Sequence, residues 1–528
     1  CFCYPNNLVI FSMINNDQMA SVEKWGFRLI LLIHLLPILL LTPFVTLDGP
    51  AHLYNAVLIR ELIGTQFYDI ITNPHFFLQF NHFPEPNWTG HLVMSLLTFI
   101  LPVLMVEKVM LLSIIILTAF GYRKLLHSFQ STINLNSWML FPFLFNFVFC
   151  LGFINYSLAV ALFPFALSWW IKNRTDYTFK NMAIGFLWLA LIYFSHLVIF
   201  LFTFLAMGLY TLSHWKKFHA SCIKEIKLLF SFSLPWILFS GLFVWLSGAN
   251  GYRGEVSYLP FTDLLQQIAE SRLFIVYNYD DENGLTLIYS FFLLVLLGWT
   301  VFERRKIKFQ LFPILLGIVS LLMIFILPDS LASGGILSIR IIQLFFLCLI
   351  IWMASLESST IKTYFMAVFS VGFSGMMMIH HYPTQKGLSN DAQSFLQAGK
   401  SLNEHSLVMP LNYSPNWMHA NMCSYMGAVS KAMVLDNYEP TQGHFPLVWK
   451  ENYNPEKVLG NYTSSNHPCV HMNEFEQTFQ RKITDVTVWK KENSNPEDSC
   501  DIAVNALLNE QFTITYQDNN IQVLKRKK

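Results

Sequence analysis

Apolar runs of about 20 residues recur through the first 380 positions of this 528-residue chain, and a run of that length is what an α-helix needs to cross the roughly 30 Å hydrocarbon core of a bilayer. In that medium only helices and closed barrels pair every backbone N–H and C=O, and a barrel would show alternating segments about ten residues long. The chain therefore reads as a polytopic, mainly α-helical membrane protein of about 11–13 spans. Composition agrees: 13% of the residues are charged, about half the share of a soluble domain. A net charge of +1 offers no basic surface for nucleic acid.

Spans are expected near 27–47, 89–106, 109–126, 137–151, 154–171, 181–195, 197–213, 226–247, 285–302, 309–328, 336–356 and 361–380. Segment 1–26 reads as cytoplasmic, with Met13 and Met19 as alternative starts. Orientation follows from Lys and Arg in short loops. Lys24 and Arg28, Lys172 to Arg174, Lys216 and Lys217, Arg304 to Lys308 and Lys362 read as cytoplasmic. The loops holding Asp48, Asn155, His196, Arg253 to Glu282 and Pro328 to Ser338 then face outward. One conflict stands: two crossings between 89 and 126 would put Arg123 and Lys124 outside, so one of those segments ends wrongly or turns back.

The membrane part is expected over 27–380, with a first outer loop at 48–88, and a small soluble α/β domain over 381–528. In that domain a helix is expected at Asp391–Ser401 and strands at Ser406–Leu411, Lys431–Leu435 and Thr484–Lys490. A hairpin is expected to turn at Gln517-Asp518-Asn519-Asn520. In an oxidising compartment Cys469–Cys500 is the favoured disulfide among Cys423, Cys469 and Cys500.

The groups that can carry chemistry gather on the outward side. TLDGPAHLYNA places Asp48 and His52 four apart where the first apolar run ends, so both face one cavity if a helix begins at Pro50. A carboxylate there can take a proton from an attacking hydroxyl or hold a cation, with His52 orienting it. The plain alternative is that Asp48 only caps the helix. FPEPNWTGHL supplies Glu85 and His91, GFINYSL supplies Asn155 and Tyr156, and YFSHLV supplies His196; a histidine such as His196 can equally be satisfied by a neighbouring carbonyl. Arg340 lies inside an apolar helix, where an unpaired cation costs about 3 kcal/mol. Either Asp329 or a lipid phosphate would balance it. No P-loop, GxSxG, HExxH or GxGxxG element occurs, which argues against nucleotide hydrolysis, soluble hydrolases and dinucleotide binding. No Cys/His pair has metal-ligand spacing, so no metal ligands are assigned and a divalent cation stays an open expectation.

An acidic residue just after the first helix, a long first loop, about a dozen spans and a polar C-terminal α/β domain together resemble the GT-C superfamily of membrane glycosyltransferases. The motifs D-G-P-x-H, here Asp48 to His52, and G-F-x-N-Y, here Gly152 to Tyr156, resemble its loosely characterised bacterial members. The resemblance implies an inverting transferase that moves a sugar from a polyprenyl-phosphate donor to a glycan, lipid or protein acceptor on the outer side of the bacterial cytoplasmic membrane. It makes Asp48 the base or orienting carboxylate, with His52 assisting, and Glu85, His91, Asn155, Tyr156, His196 and Arg340 as substrate-binding residues. Better-studied branches carry a D-E pair in the first loop, which this chain lacks, and Glu85 is the candidate second acid. The competing functions are a non-catalytic assembly protein of the same fold and a lipid or glycolipid transporter.

Overall fold

The computed structural model describes residues 16–64, 77–81, 85–129, 135–215, 219–249, 256–303, 311–331, 334–356, 358–450, 453–461, 468–495 and 497–528. Met13, Lys216 and Lys217, Arg253, Glu255, Arg304 to Lys308 and parts of the first outer loop lie outside them.

The membrane part runs α1 (Asn16–Leu40), α2 (Gly49–Gly64), β1 (Leu78–Phe80), α3 (Thr89–Leu97), α4 (Val103–His127), α5 (Phe147–Cys150), α6 (Ile154–Asn173), α7 (Phe179–Ser195), α8 (Leu197–Ser213), α9 (His219–Ala249), α10 (Phe261–Ala269), α11 (Tyr279–Glu303), α12 (Leu311–Ile326), α13 (Leu337–Ser355) and α14 (Thr360–Gly399). Among the described residues six helices are long and apolar enough to cross a bilayer, namely α4, α6, α9, α11, α13 and α14; α7, α8 and α12 are shorter apolar helices. Their outward faces carry exposed Leu, Ile and Phe, such as Phe291, Leu294, Val368 and Ile379, as expected where the solvent is lipid.

Three expected elements are redrawn. The segment at 89–106 is not a span: α3 has nine residues and ends before Pro102, which opens α4, because proline cannot continue a helix that precedes it. A single helix, α4, then leaves Arg123 at the end of the bundle that holds Glu23, which its guanidinium meets at 2.6 Å and which also accepts from Ser137. The conflict over Arg123 and Lys124 disappears. The segment at 137–151 is a 3₁₀ helix (Leu135–Phe143) followed by α5, which Asn146 caps by accepting from the N–H of Phe149. The helix expected at Asp391–Ser401 is the last part of the 40-residue α14, which passes Pro383 and runs on into the C-terminal region.

That region adds β2 (Leu407–Asn412), α15 (Ser424–Ser430), β3 (Met433–Val434), β4 (Leu447–Trp449), β5 (Gly460–Asn461), β6 (Cys469–Val470), β7 (Asp485–Trp489), β8 (Phe512–Gln517) and β9 (Ile521–Arg526). Its five-stranded sheet has the order β3-β2-β7-β9-β8; β2 is parallel to both neighbours, and β8 and β9 form the expected hairpin. Cys469 and Cys500 are disulfide-bonded.

Among the contacts that join the C-terminal region to the first loop, three set the docking of α2 and β1. β1 pairs antiparallel with β4. The Tyr54 hydroxyl of α2 donates to the carbonyl of Ala432 and accepts from the N–H of Val434. The amides of Asn55 and Asn437 bond each other reciprocally at 2.8 and 2.9 Å. These buried polar groups are fully paired, so the docking is specific as well as apolar.

Candidate active site

The turn Thr46–Gly49 is fixed by its neighbours before any side chain is considered. The N–H groups of Leu47 and Asp48 donate to the carbonyls of Cys150 and Leu151 at 3.1 and 3.0 Å, and the N–H of Gly49 donates to the Thr46 hydroxyl. Gly152 makes this possible. Its φ is +74°, and a Cβ there would stand 2.7 Å from the Gly49 nitrogen and 2.8 Å from that of Asp48. The two short motifs are therefore one structure, with D-G-P-x-H seated on the glycine that opens G-F-x-N-Y. α2 follows at once, so Asp48 and His52 come to one side of the turn, as their spacing requires.

The carboxylate of Asp48 does not cap α2. It accepts from the Asn421 amide at 2.9 Å and from the Tyr438 hydroxyl. Burial pushes its pKa up to about 6, against the pull of His52 and Tyr438. Burial and the adjacent Asp48 hold the Tyr438 hydroxyl well above its usual range.

A cavity of about 590 Å³ opens in front of Asp48, within the size range of small-molecule sites. Asp48, His52, Asn155, Tyr156, His196 and Arg340 line it. The rest of its lining is largely apolar and includes Phe243, Val244, Val256, Leu331 and Leu337 together with Gly334 and Gly335. The guanidinium of Arg340 lies 4.1 Å from the ring centre of Phe153 and 5.7 Å from that of Tyr156, a cation–π arrangement. One of its N–H groups points to Nε2 of His196 at 3.3 Å, and its Nε has no hydrogen-bond partner. Among the described residues no carboxylate stands within ion-pair distance, and Asp48 and Asp329 act on the guanidinium from farther off. Asp329 is engaged elsewhere, accepting from the backbone and hydroxyl of Ser338 at the start of α13. The Tyr156 hydroxyl donates to the carbonyl of Arg340 and fixes the first turn of α13 against α6. His196 is not satisfied by a neighbouring carbonyl: its Nδ1 is buried without a partner.

Glu85 and His91 stand apart from this cavity. Glu85 is buried, and burial raises its pKa to about 7. His91 lies behind His52, 3.2 Å away, and both reach Glu439, at 2.8 Å from His91 Nε2 and 2.6 Å from His52 Nδ1. Asn155 braces this group, accepting from the N–H of Gly90 and donating to the carbonyl of Asn87. Burial opposes ionisation of Glu439, but the two histidines bring its pKa down to about 2. Burial likewise opposes protonation of His52, and Glu439, Asp48 and Glu107 outweigh it and raise its pKa.

Tyr438, Glu439, Gln442, His444 and Phe445 come from one C-terminal segment, and all but Glu439 line the cavity. Burial lowers the His444 pKa to about 4. None of these was singled out from sequence. Their only signal is the dense polar and aromatic string DNYEPTQGHF following a short strand, which gives no hint of a partner almost 400 positions upstream.

No family model matches the chain, and none of the curated proteins does. Among solved structures it is similar to ArnT from Cupriavidus metallidurans in the apo state, at 12% identity over 96% of this chain and 98% of that one, with a TM-score of 0.49. It is similar also to the same enzyme bound to undecaprenyl phosphate, at 10% identity over 94% and 98% of the two chains, with a TM-score of 0.48.

Proposed function

We propose that the cavity transfers a sugar from a polyprenyl-phosphate donor to an acceptor hydroxyl. The observation that carries the reading is the Arg340 guanidinium, which has no carboxylate within ion-pair distance among the described residues and lines the same cavity as Asp48. A cation kept in that setting calls for an anion, and guanidinium geometry suits the paired oxygens of a phosphate. The apolar part of the lining gives a prenyl chain somewhere to lie, so an amphiphilic donor fits the cavity.

In the proposed reaction the acceptor oxygen attacks the anomeric carbon and the bond from that carbon to the phosphate oxygen breaks. The acceptor proton passes to Asp48, and Arg340 holds the polyprenyl phosphate that leaves. Attack opposite the leaving group inverts the anomeric centre. At neutral pH an acid with a pKa of about 6 is mostly ionised and still basic enough to accept a proton. We place the cavity and the C-terminal region on the outer side of the bacterial cytoplasmic membrane. The Cys469–Cys500 disulfide supports that side, as does the Glu23–Arg123 cluster beside Lys24 at the other end of α4.

The test is incubation of the purified protein in lipid nanodiscs with a panel of polyprenyl-phosphate sugars, with Arg340→Ala alongside. Turnover or saturable binding of one member, lost in the variant, is expected; no turnover or binding across the panel would refute the proposal.

A further inference from the structure

We infer that His52, His91 and Glu439 form a binding site for one divalent transition-metal ion, zinc by its donor set, that ties α2 and α3 to the C-terminal region. The inference stands apart from the transferase reading, because it rests on a different group of atoms and its test needs no substrate.

Two imidazole nitrogens and both carboxylate oxygens of Glu439 converge with too few protons to satisfy them, and the three side chains can each offer one ligand atom within 4.8 Å of the others. Nδ1 of His52 lies 2.6 Å from Oε1 of Glu439 and 3.2 Å from Nε2 of His91, and that nitrogen lies 2.8 Å from Oε2 of Glu439. If both nitrogens carry a hydrogen, two donors face each other at 3.2 Å. If one does not, the carboxylate loses a partner. Despite its nearness to His52, Oε1 of Glu439 has no hydrogen bond of acceptable geometry and is buried. All three residues are buried, at 3%, 1% and 1% exposure, so water does not make up the deficit. One cation at the centre would satisfy three lone pairs at once.

The dimensions agree. Zinc–nitrogen and zinc–oxygen bonds of about 2.0–2.2 Å in a tetrahedron set the donors about 3.3 Å apart. The imidazole nitrogens stand 3.2 Å apart, and each lies 2.6 or 2.8 Å from a different oxygen of Glu439, so small side-chain adjustments that bring one of those oxygens against both nitrogens would admit the ion. The second shell is also in place: Nδ1 of His91 is 3.2 Å from the carbonyl of Asn87. Donation there leaves Nε2 free to bind a metal, the usual arrangement for a ligating imidazole. Phe445 covers both imidazoles, 5.8 and 5.6 Å from their ring centres.

Charge points the same way. Oε1 of Glu107, like that of Glu439, is buried without a hydrogen-bond partner. Two imidazoles with one carboxylate favour zinc over magnesium or calcium, which take oxygen ligands. A metal here would cross-link three elements distant in sequence, and its binding free energy would add to the stability of the assembled fold.

The full chain, purified in detergent from zinc-replete cells without chelator, should contain about one zinc per chain by plasma mass spectrometry. Glu439→Gln and His91→Asn should each carry less than about a tenth of that, while the exposed Asp263→Asn control keeps it. Since either variant could lose metal by misfolding, the wild-type protein is also stripped with dipicolinate: its thermal midpoint should fall and return on adding zinc chloride. Cobalt chloride added instead should give the visible bands of a tetrahedral site. Substoichiometric metal in the wild-type protein together with a midpoint indifferent to stripping and refilling would overturn the inference, leaving an imidazolium–carboxylate cluster. Full metal content in the Glu439→Gln/His91→Asn double variant would overturn it too.

Discussion

Replacing Arg340 with methionine should move stability and ligand binding in opposite directions. The guanidinium keeps cation–π contacts with Phe153 and Tyr156 and one contact to His196, while Asp48 and Asp329 act on it only from beyond ion-pair distance and so offset only part of the cost of a cation on an apolar helix. That cost is about 3 kcal/mol for a fully inserted residue, and an upper bound here because the side chain faces the cavity. Loss of the cation–π contacts gives back about 1–2 kcal/mol, while methionine fills similar volume. The variant should therefore be as stable as the parent or more stable by up to about 2 kcal/mol. A phosphate bound through two charge-assisted hydrogen bonds would lose about 3 kcal/mol or more, which is a Kd higher by a factor of about 150. Binding of a polyprenyl phosphate to nanodisc-embedded protein, measured beside thermal unfolding of the same samples, reads both effects. Unchanged affinity, or a midpoint that collapses with affinity, would show that Arg340 is a structural cation and refute the reasoning.

Three further outcomes test how the site is assembled. Gly152→Ala forces a side chain into a positive φ, at about 1–2 kcal/mol, and against the backbone of Asp48 and Gly49. It should weaken the two hydrogen bonds that seat the turn and abolish turnover before it unfolds the protein; normal activity would show that the turn tolerates displacement. Tyr54→Phe leaves the N–H of Val434 and the carbonyl of Ala432 without their partner, and should cost about 1–3 kcal/mol, seen as faster hydrogen exchange in β3. Removing the disulfide with Cys469→Ser and Cys500→Ser opens a loop spanning 31 positions and should lower the stability of the C-terminal region by about 2–4 kcal/mol; thermal unfolding followed by tryptophan fluorescence measures it.

What could be read from the sequence was what local chemistry dictates. Asp48 and His52 are one helical turn apart, so spacing alone put them on one side. Asn155 and His196 stand where apolar segments meet, and Arg340 declared itself by its cost in an apolar helix. The hairpin at Gln517 to Asn520 was legible because turn residues lie between alternating strands. The segment at 89–106 misled because nine helical residues, a bend and the start of α4 are equally oily, and only Pro102 marked the break. The 3₁₀ helix at Leu135–Phe143 misled likewise: it is buried in protein, and hydropathy does not distinguish protein from lipid as the surrounding medium. Tyr438, Glu439 and His444 were out of reach, since their meaning depends on docking a C-terminal segment onto α2. That contact is set by β1 pairing with β4 and by the Asn55–Asn437 amides, which no local pattern encodes. Glu439 also changes what His91 is. The resemblance made it a substrate-binding residue, and in the structure it contacts His52 and Glu439 and is not among the residues that line the cavity.

The central claim is that Asp48 takes the acceptor proton. Single-turnover transfer by Asp48→Asn, compared with the parent protein on whichever polyprenyl-phosphate sugar the panel identifies, tests it most directly. Transfer should slow by a factor of about 10²–10⁴, while donor affinity and the thermal midpoint stay near those of the parent. A variant that transfers sugar at the parental rate would contradict it.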